Sequence, residues 1–314
     1  MRLKRILFPV DFSQQCLDFG PYVAGVVRRF DAELTLLHAV DTVPLAYYGI
    51  YPAMSLAADY EEAMSEGRKE KLDAFLSAEF DDLRVKRVTQ MGDAATVVAK
   101  YADSHGMDLI MMPTHGYGPF RRLLLGSVAA KVLHDTDCLV WTGVHHEQAA
   151  LPKEPVFRNI LCCVDVAPES LPLLRSAAAI AAELGGELRL VHAIPAIEAA
   201  TEFSRRALGA SEVMYDAGQA EIEKLQREAG TTAQLCLETG KVAKVMRSAA
   251  LRHHADLVII GRGQINDTLG GLRTNTYAVI RESPCPVLSI SAGPRREPQL
   301  AGDALAIQEC LDRR

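Results

Sequence analysis

The chain repeats itself, and this limits its fold more than any other feature. Ile6-Leu-Phe-Pro-Val-Asp-Phe-Ser13 returns 154 residues later as Ile160-Leu-Cys-Cys-Val-Asp-Val-Ala167, with four identities in eight. Leu34-Thr-Leu-Leu-His-Ala-Val40 returns as Leu188-Arg-Leu-Val-His-Ala-Ile194 at the same offset. Asp108-Leu-Ile-Met-Met112 matches Asp256-Leu-Val-Ile-Ile260 at 148, and Asp137-Cys-Leu-Val140 matches Pro284-Cys-Pro-Val287 at 147. Apolar segments recurring in one order and nearly in register mark a duplicated domain, and 314 residues give room for two.

Short apolar runs alternate with helical patterns in both copies. Strands are expected at 6–10, 34–40, 84–90, 109–112 and 138–142, with helices at 17–30, 59–80, 94–105 and 128–134. The second copy repeats this with strands at 160–164, 188–193, 233–237, 257–260 and 287–290. Its helices are expected at 171–184, 213–228, 242–253 and 276–281. Strands without polar alternation are buried on both faces, and their alternation with helices indicates a parallel sheet. The expected fold is α/β, Rossmann-like: two tandem repeats, each a five-stranded parallel sheet with helices on both faces. The divisions are expected at 1–144, a polar linker at 145–157 marked by Pro152 and Pro155, 158–292, and a tail at 293–314. A short amphipathic pattern lies in that tail at 301–310. The apolar last strand of each copy needs cover at its edge, so the repeats are expected to pack as an intramolecular pseudo-dimer. A further homodimer of two chains has no sequence marker.

Composition removes several function classes. A net charge of −6 argues against nucleic acid as the main partner, because a basic footprint supplies that affinity. No apolar run approaches the ~20 residues of a membrane span. The opening apolar stretch, broken by Pro9 and ended by Asp11, is too short for a signal sequence. The expectation is a cytoplasmic protein without a membrane role. Seven cysteines form no CxxC pair and no metal-ligand spacing, and read as small buried hydrophobes. Cys162-Cys163 is read the same way, with redox chemistry as the lesser alternative.

In an open parallel sheet, ligands bind beyond the carboxyl ends of the strands where strand order reverses. This singles out Pro9, Val10 and Asp11, then Ala39 after His38, then Met112, Pro113, Thr114, His115 and Gly116. Gly126, Ser127 and Val128 open the next helix. A glycine permits close backbone approach, Ser127 carries a hydroxyl, and a helix start presents free amides and partial positive charge. Ser127 could equally be a plain N-cap, and Asp11 a turn residue. His38 and His192 end equivalent strands and read as structural. His115 has no acid or thiol beside it in sequence to make a catalytic pair. Arg121 and Arg122 read as a solvated basic face. Gly240-Lys241 lacks the rest of a P-loop, and Gly261-Arg-Gly263 lacks the third glycine of a dinucleotide turn.

His115-Gly116, nine residues and Gly126-Ser127, following Pro9-Val-Asp-Phe-Ser13, closely resembles the universal stress protein family. That pattern is Gly, two residues, Gly, nine residues, Gly-Ser/Thr at the phosphates of bound ATP, with an Asp after the first strand. The resemblance covers both repeats and implies the adenine nucleotide alpha hydrolase-like form of the fold. It further implies that Asp11 contacts adenine or ribose, that Pro9 and Val10 line the base pocket, and that Ala39 offers backbone atoms to the base. Met112 would form the lip. Thr114, His115 and Gly116 would follow the ribose and phosphates, and Gly126, Ser127 and Val128 the phosphates. Pro113 replaces the first motif glycine and has no N–H to donate. The second repeat shows Gly261-Arg-Gly-Gln264 and Thr274-Asn275 at the matching positions, so its motif is degraded.

The resemblance implies a non-catalytic stress or regulatory protein binding ATP or another adenine nucleotide in its first repeat, with Mg²⁺ left open. One alternative is an interaction module that no longer binds nucleotide. The other is an enzyme of slow ATP hydrolysis or adenylyl transfer, although the His-x-Gly-His motif of adenylyl-transferring relatives does not occur.

Overall fold

A computed structural model describes residues 3–40, 66–116, 125–145, 151–167, 169–195, 204–262 and 271–291. The first repeat contributes strands β1 (Arg5–Pro9), β2 (Glu33–Val40), β3 (Val85–Met91), β4 (Leu109–Met112) and β5 (Leu139–Thr142). Its helices are α1 (Gln14–Phe30), α2 (66–74), α3 (Ala94–Ser104) and α4 (Ser127–Asp135). The second contributes β6 (Asn159–Cys163), β7 (Glu187–Ile194), β8 (Gln234–Thr239), β9 (Leu257–Arg262) and β10 (Val287–Ser291). Its helices are α5 (Ser170–Leu184), α6 (Ser204–Ala229), α7 (Val242–Arg252) and α8 (Gly271–Glu282). The expected element order is present throughout. The helix expected at 59–80 is described only from 66 and gives way to turns after 74. The pattern at 301–310, together with Arg121 and Arg122, lies outside the described residues.

All ten strands form one sheet, ordered β3-β2-β1-β4-β5-β10-β9-β6-β7-β8. Pairing is parallel within each repeat and antiparallel at the single junction of β5 with β10, where Leu288 faces Trp141 and Ser289 faces Val140. The apolar edges that needed cover therefore cover each other. Thr142 Oγ1 donates to the Val287 carbonyl and Ser289 Oγ to the Val140 carbonyl, so the junction's buried hydroxyls are satisfied.

Alternation along each strand splits the core. Ile6 and Phe8 pack with α1, α2, α5 and α6 on one face, while Leu7 packs with α3, α4, α7 and α8 on the other. Both apolar layers run across the junction, and Trp141, fully buried, sits against Phe157 at 5.4 Å and Tyr22 at 6.4 Å between ring centroids. The described part of the connection, 151–157, brings Leu151 and Phe157 into the core. A Cβ on Gly25 of α1 would collide with the Lys153 carbonyl and Pro155, so glycine lets the connection cross this helix.

Candidate functional site

In each half the chain order reverses between two central strands, β1 beside β4 and β6 beside β9, the position beyond whose strand ends open parallel sheets bind ligands. In the first repeat the loop after β1 makes a tight turn. Asp11 Oδ1 accepts the Ser13 N–H at 2.8 Å, and Ser13 Oγ then caps α1 by accepting from Cys16 N–H. Phe12 between them has φ of 61°, unusual for a bulky residue. Strain of this kind costs of order 1–3 kcal/mol and persists where the surroundings fix it. The Phe12 ring is buried against His38 at 4.5 Å and Phe75 at 5.7 Å, with Lys71 Nζ 4.5 Å from its centroid. The turn leaves the Asp11 carboxylate exposed and facing Gly116.

His38 has the structural role expected of it. Its Nδ1 lies 2.7 Å from the Val10 carbonyl, and His192 repeats the contact with Val164 at 3.0 Å. Burial lowers the His38 pKa, which favours a neutral ring donating from Nδ1.

The loop after β4 folds back on the start of α4. Gly126 N–H donates to the Thr114 carbonyl at 2.9 Å. A Cβ on Gly126 would stand 3.1 Å from the His115 Cα and 3.2 Å from the Thr114 oxygen, so glycine permits this approach. Gly126 is the N-cap and Ser127 the first helical residue, which corrects the reading of Ser127 as cap. No side chain caps this helix. Ser127 and Val128 are exposed, and first-turn amides lack an intrahelical acceptor. Thr114 and His115 are buried, their side chains 3.1 Å apart, and His145 Nδ1 lies 3.2 Å from Thr114 Oγ1. His145 had been assigned to a polar linker, yet it is buried here.

Pro113 has a visible consequence for the sheet. Its counterpart, Gly261, pairs with Ile290, and β9 continues to Arg262, whereas β4 stops at Met112. A residue without an N–H cannot extend the ladder.

The second repeat differs where phosphates would lie. There α8 already runs from Gly271, placing Thr274 and Asn275 inside the helix instead of at its opening. Arg262, at the position of Thr114, is buried and reaches into the first repeat. Its guanidinium donates to the carbonyls of Leu133 at 2.6 Å, Thr136 at 3.0 Å and Cys138. Burial pulls its pKa down to about 10, still protonated at neutral pH. Sequence alone carried no signal for this strut. Cys162 is fully buried, and burial pushes the Cys163 thiol up to about 12. Neither is an activated nucleophile. Among the described residues no group of three or more His, Cys, Asp or Glu could hold a metal ion, and no helix is long and apolar enough to cross a membrane.

The sequence model of the universal stress protein family matches residues 2–142 and 157–291. A universal stress protein of Methanocaldococcus jannaschii is 31% identical over 139 residues, covering 44% of this chain and 79% of that protein. Universal stress protein A homolog 2 of Coxiella burnetii is 30% identical over 108 residues, covering 34% and 71%. The crystal structure of a universal stress protein from Archaeoglobus fulgidus superposes with a TM-score of 0.64 at 20% identity, covering 93% of this chain and all of that one. That likeness concerns the fold.

Proposed function

Because this chain belongs to the universal stress protein family through both of its repeats, we propose that it is a regulatory protein that binds an adenine nucleotide, ATP in the first instance, in the first repeat. The observation that carries the reading is the start of α4. Gly126 is drawn against Thr114 and His115, while exposed Ser127 and Val128 present a hydroxyl and first-turn amides. Such a helix start suits phosphate oxygens by its amides and its dipole. The neighbouring strand ends supply the residues for the remainder of the ligand. Pro9 ends β1 and Val10 follows it, and Ala39 follows His38 on the neighbouring strand. Asp11 lies directly against Gly116, with Met112 ending β4 and Pro113 just beyond it. In this reading Asp11 accepts from adenine or ribose, and residues 114–116 and 126–128 hold the ribose and phosphates. The division into a binding unit at 1–144, a connector at 145–157 and a second unit at 158–292 belongs to the same proposal. Magnesium and catalysis form no part of it.

The test begins with the purified chain. Perchloric acid should release an adenine nucleotide identifiable by mass, and titration of stripped protein with ATP should saturate. Absence of both, in folded protein, would overturn the reading in favour of an interaction module.

A further inference from the structure

Two side chains of the second repeat hold α4 of the first by its main chain. Tyr277 Oη of α8 donates to the Ala130 carbonyl, in the middle of the helix, at 3.0 Å. The buried guanidinium of Arg262, at the end of β9, donates to Leu133 in the last turn at 2.6 Å, to the C-cap Thr136 at 3.0 Å, and to Cys138 just before β5. Last-turn carbonyls have no intrahelical donor, and a cation there also meets the negative end of the helix dipole.

This clamp is itself held. Thr276, beside Tyr277 on α8, donates from Oγ1 to the carbonyl of Gly261, beside Arg262, at 3.4 Å, and both Gly261 and Arg262 pair with β10. Arg262 also lines a cavity of about 1050 Å³ beyond the ends of β6 and β9, together with Thr276 and with Gly218 of α6. The residue that grips α4 therefore belongs to the second repeat's own switch point. The relation runs one way. Thr114 holds the matching position in the first repeat, and its short side chain meets His115 at 3.1 Å and His145 at 3.2 Å, both before the second repeat begins.

Burial of Ala129, Val132 and Leu133 keeps α4 on the sheet, but apolar burial is non-directional, whereas hydrogen bonds fix a helix along and about its axis. With nine residues α4 is a rod of about 13 Å, so its two ends move together. We infer that Arg262 and Tyr277 are positioning residues: from the second repeat they set where the first turn of α4 stands, and with it the affinity of the first repeat for nucleotide phosphates. This role rests on the nucleotide site proposed above. The nucleoside would meet the ends of β1 and β2, which lie on the far side of β4 from the second repeat.

The test titrates ATP and adenosine separately, by calorimetry, into the stripped full chain. Arg262→Met should weaken ATP at least about fivefold and adenosine little, since the phosphates alone meet α4. Arg262→Lys, which keeps a charged donor, should recover most of the loss. Tyr277→Phe removes one hydrogen bond with little change of volume. It should weaken ATP by a smaller factor with the same selectivity, and it carries the test if Arg262→Met does not fold. Arg175→Met is the control, because it takes a guanidinium from the Glu228 carbonyl, 3.0 Å away within the second repeat, and should leave both ligands unchanged. Undiminished ATP binding in both clamp variants, equal loss of ATP and adenosine, or equal weakening in Arg175→Met would overturn the role. A natural chain that binds no ATP would refute the nucleotide reading, and this role with it.

Discussion

Pro113, Gly116 and His38 make separate, measurable contributions around the first switch point. A glycine at 113 would restore an N–H, and a charge-assisted hydrogen bond is worth about 1.5–3 kcal/mol, or roughly 10- to 150-fold in affinity. Proline returns part of this by restricting the loop before binding, about 0.4–1 kcal/mol. Pro113→Gly should therefore bind ATP several-fold more tightly and melt slightly lower, as calorimetry and thermal melts can read. Equal or weaker binding in a folded variant would show that proline suits its ligand. Gly116→Ala tests the contact with Asp11. Its methyl would collide with Asp11 Oδ2, the end of an exposed side chain that can move. The expected result is a nearly unchanged melting temperature and several-fold weaker ATP. For His38, burial lowers the folded pKa below the ordinary 6.5. The unfolded chain then takes up the proton first, so the stabilisation is complete above pH 6.5 and declines as pH falls through the folded value. In His38→Gln, the fall in melting temperature between pH 7 and pH 5 should be shallower; an identical slope would count against this role.

Among the elements, α4 joins the first repeat's proposed site to the second repeat. Its first turn belongs to the proposed phosphate site, its Ala130 carbonyl accepts from Tyr277 Oη of α8 at 3.0 Å, and its last turn receives Arg262. Replacing Arg262 by Met keeps most of the volume but orphans three carbonyls, and a hydrogen bond to a charged group contributes about 1.5–3 kcal/mol. Urea unfolding should register a loss of that order, and a loss below the scatter of the measurement would mean water replaces the guanidinium fully. The elements themselves were readable in the sequence because strand and helix periods are local. Gly126-Ser127 was readable for the same reason, as a helix opening within one short segment. The contacts of Arg262 with Leu133 and of His145 with Thr114 were not, since they depend on how distant strands pair. The cavity of the second repeat was also hidden. It arises from a helix that begins early and from a glycine in another helix, and neither forms a motif.

At the scale of the molecule, duplication has produced one sheet with continuous apolar layers on both faces. Such a body should unfold cooperatively instead of repeat by repeat. Trp141 is the chain's sole tryptophan and is buried beside the β5–β10 junction. Its fluorescence and the far-ultraviolet circular dichroism should therefore give coincident urea transitions; separated midpoints would mean that the repeats unfold independently. Within this symmetric fold the two sites are asymmetric. Both repeats keep the switch point, but only the first opens its helix at the motif glycine, while the second carries that position inside α8. Isothermal titration of nucleotide-free protein with ATP tests this most directly. About one site per chain is expected, abolished by Gly126→Val and retained in Thr274→Val, whereas two equivalent sites, or full binding in folded Gly126→Val, would contradict a nucleotide site confined to the first repeat.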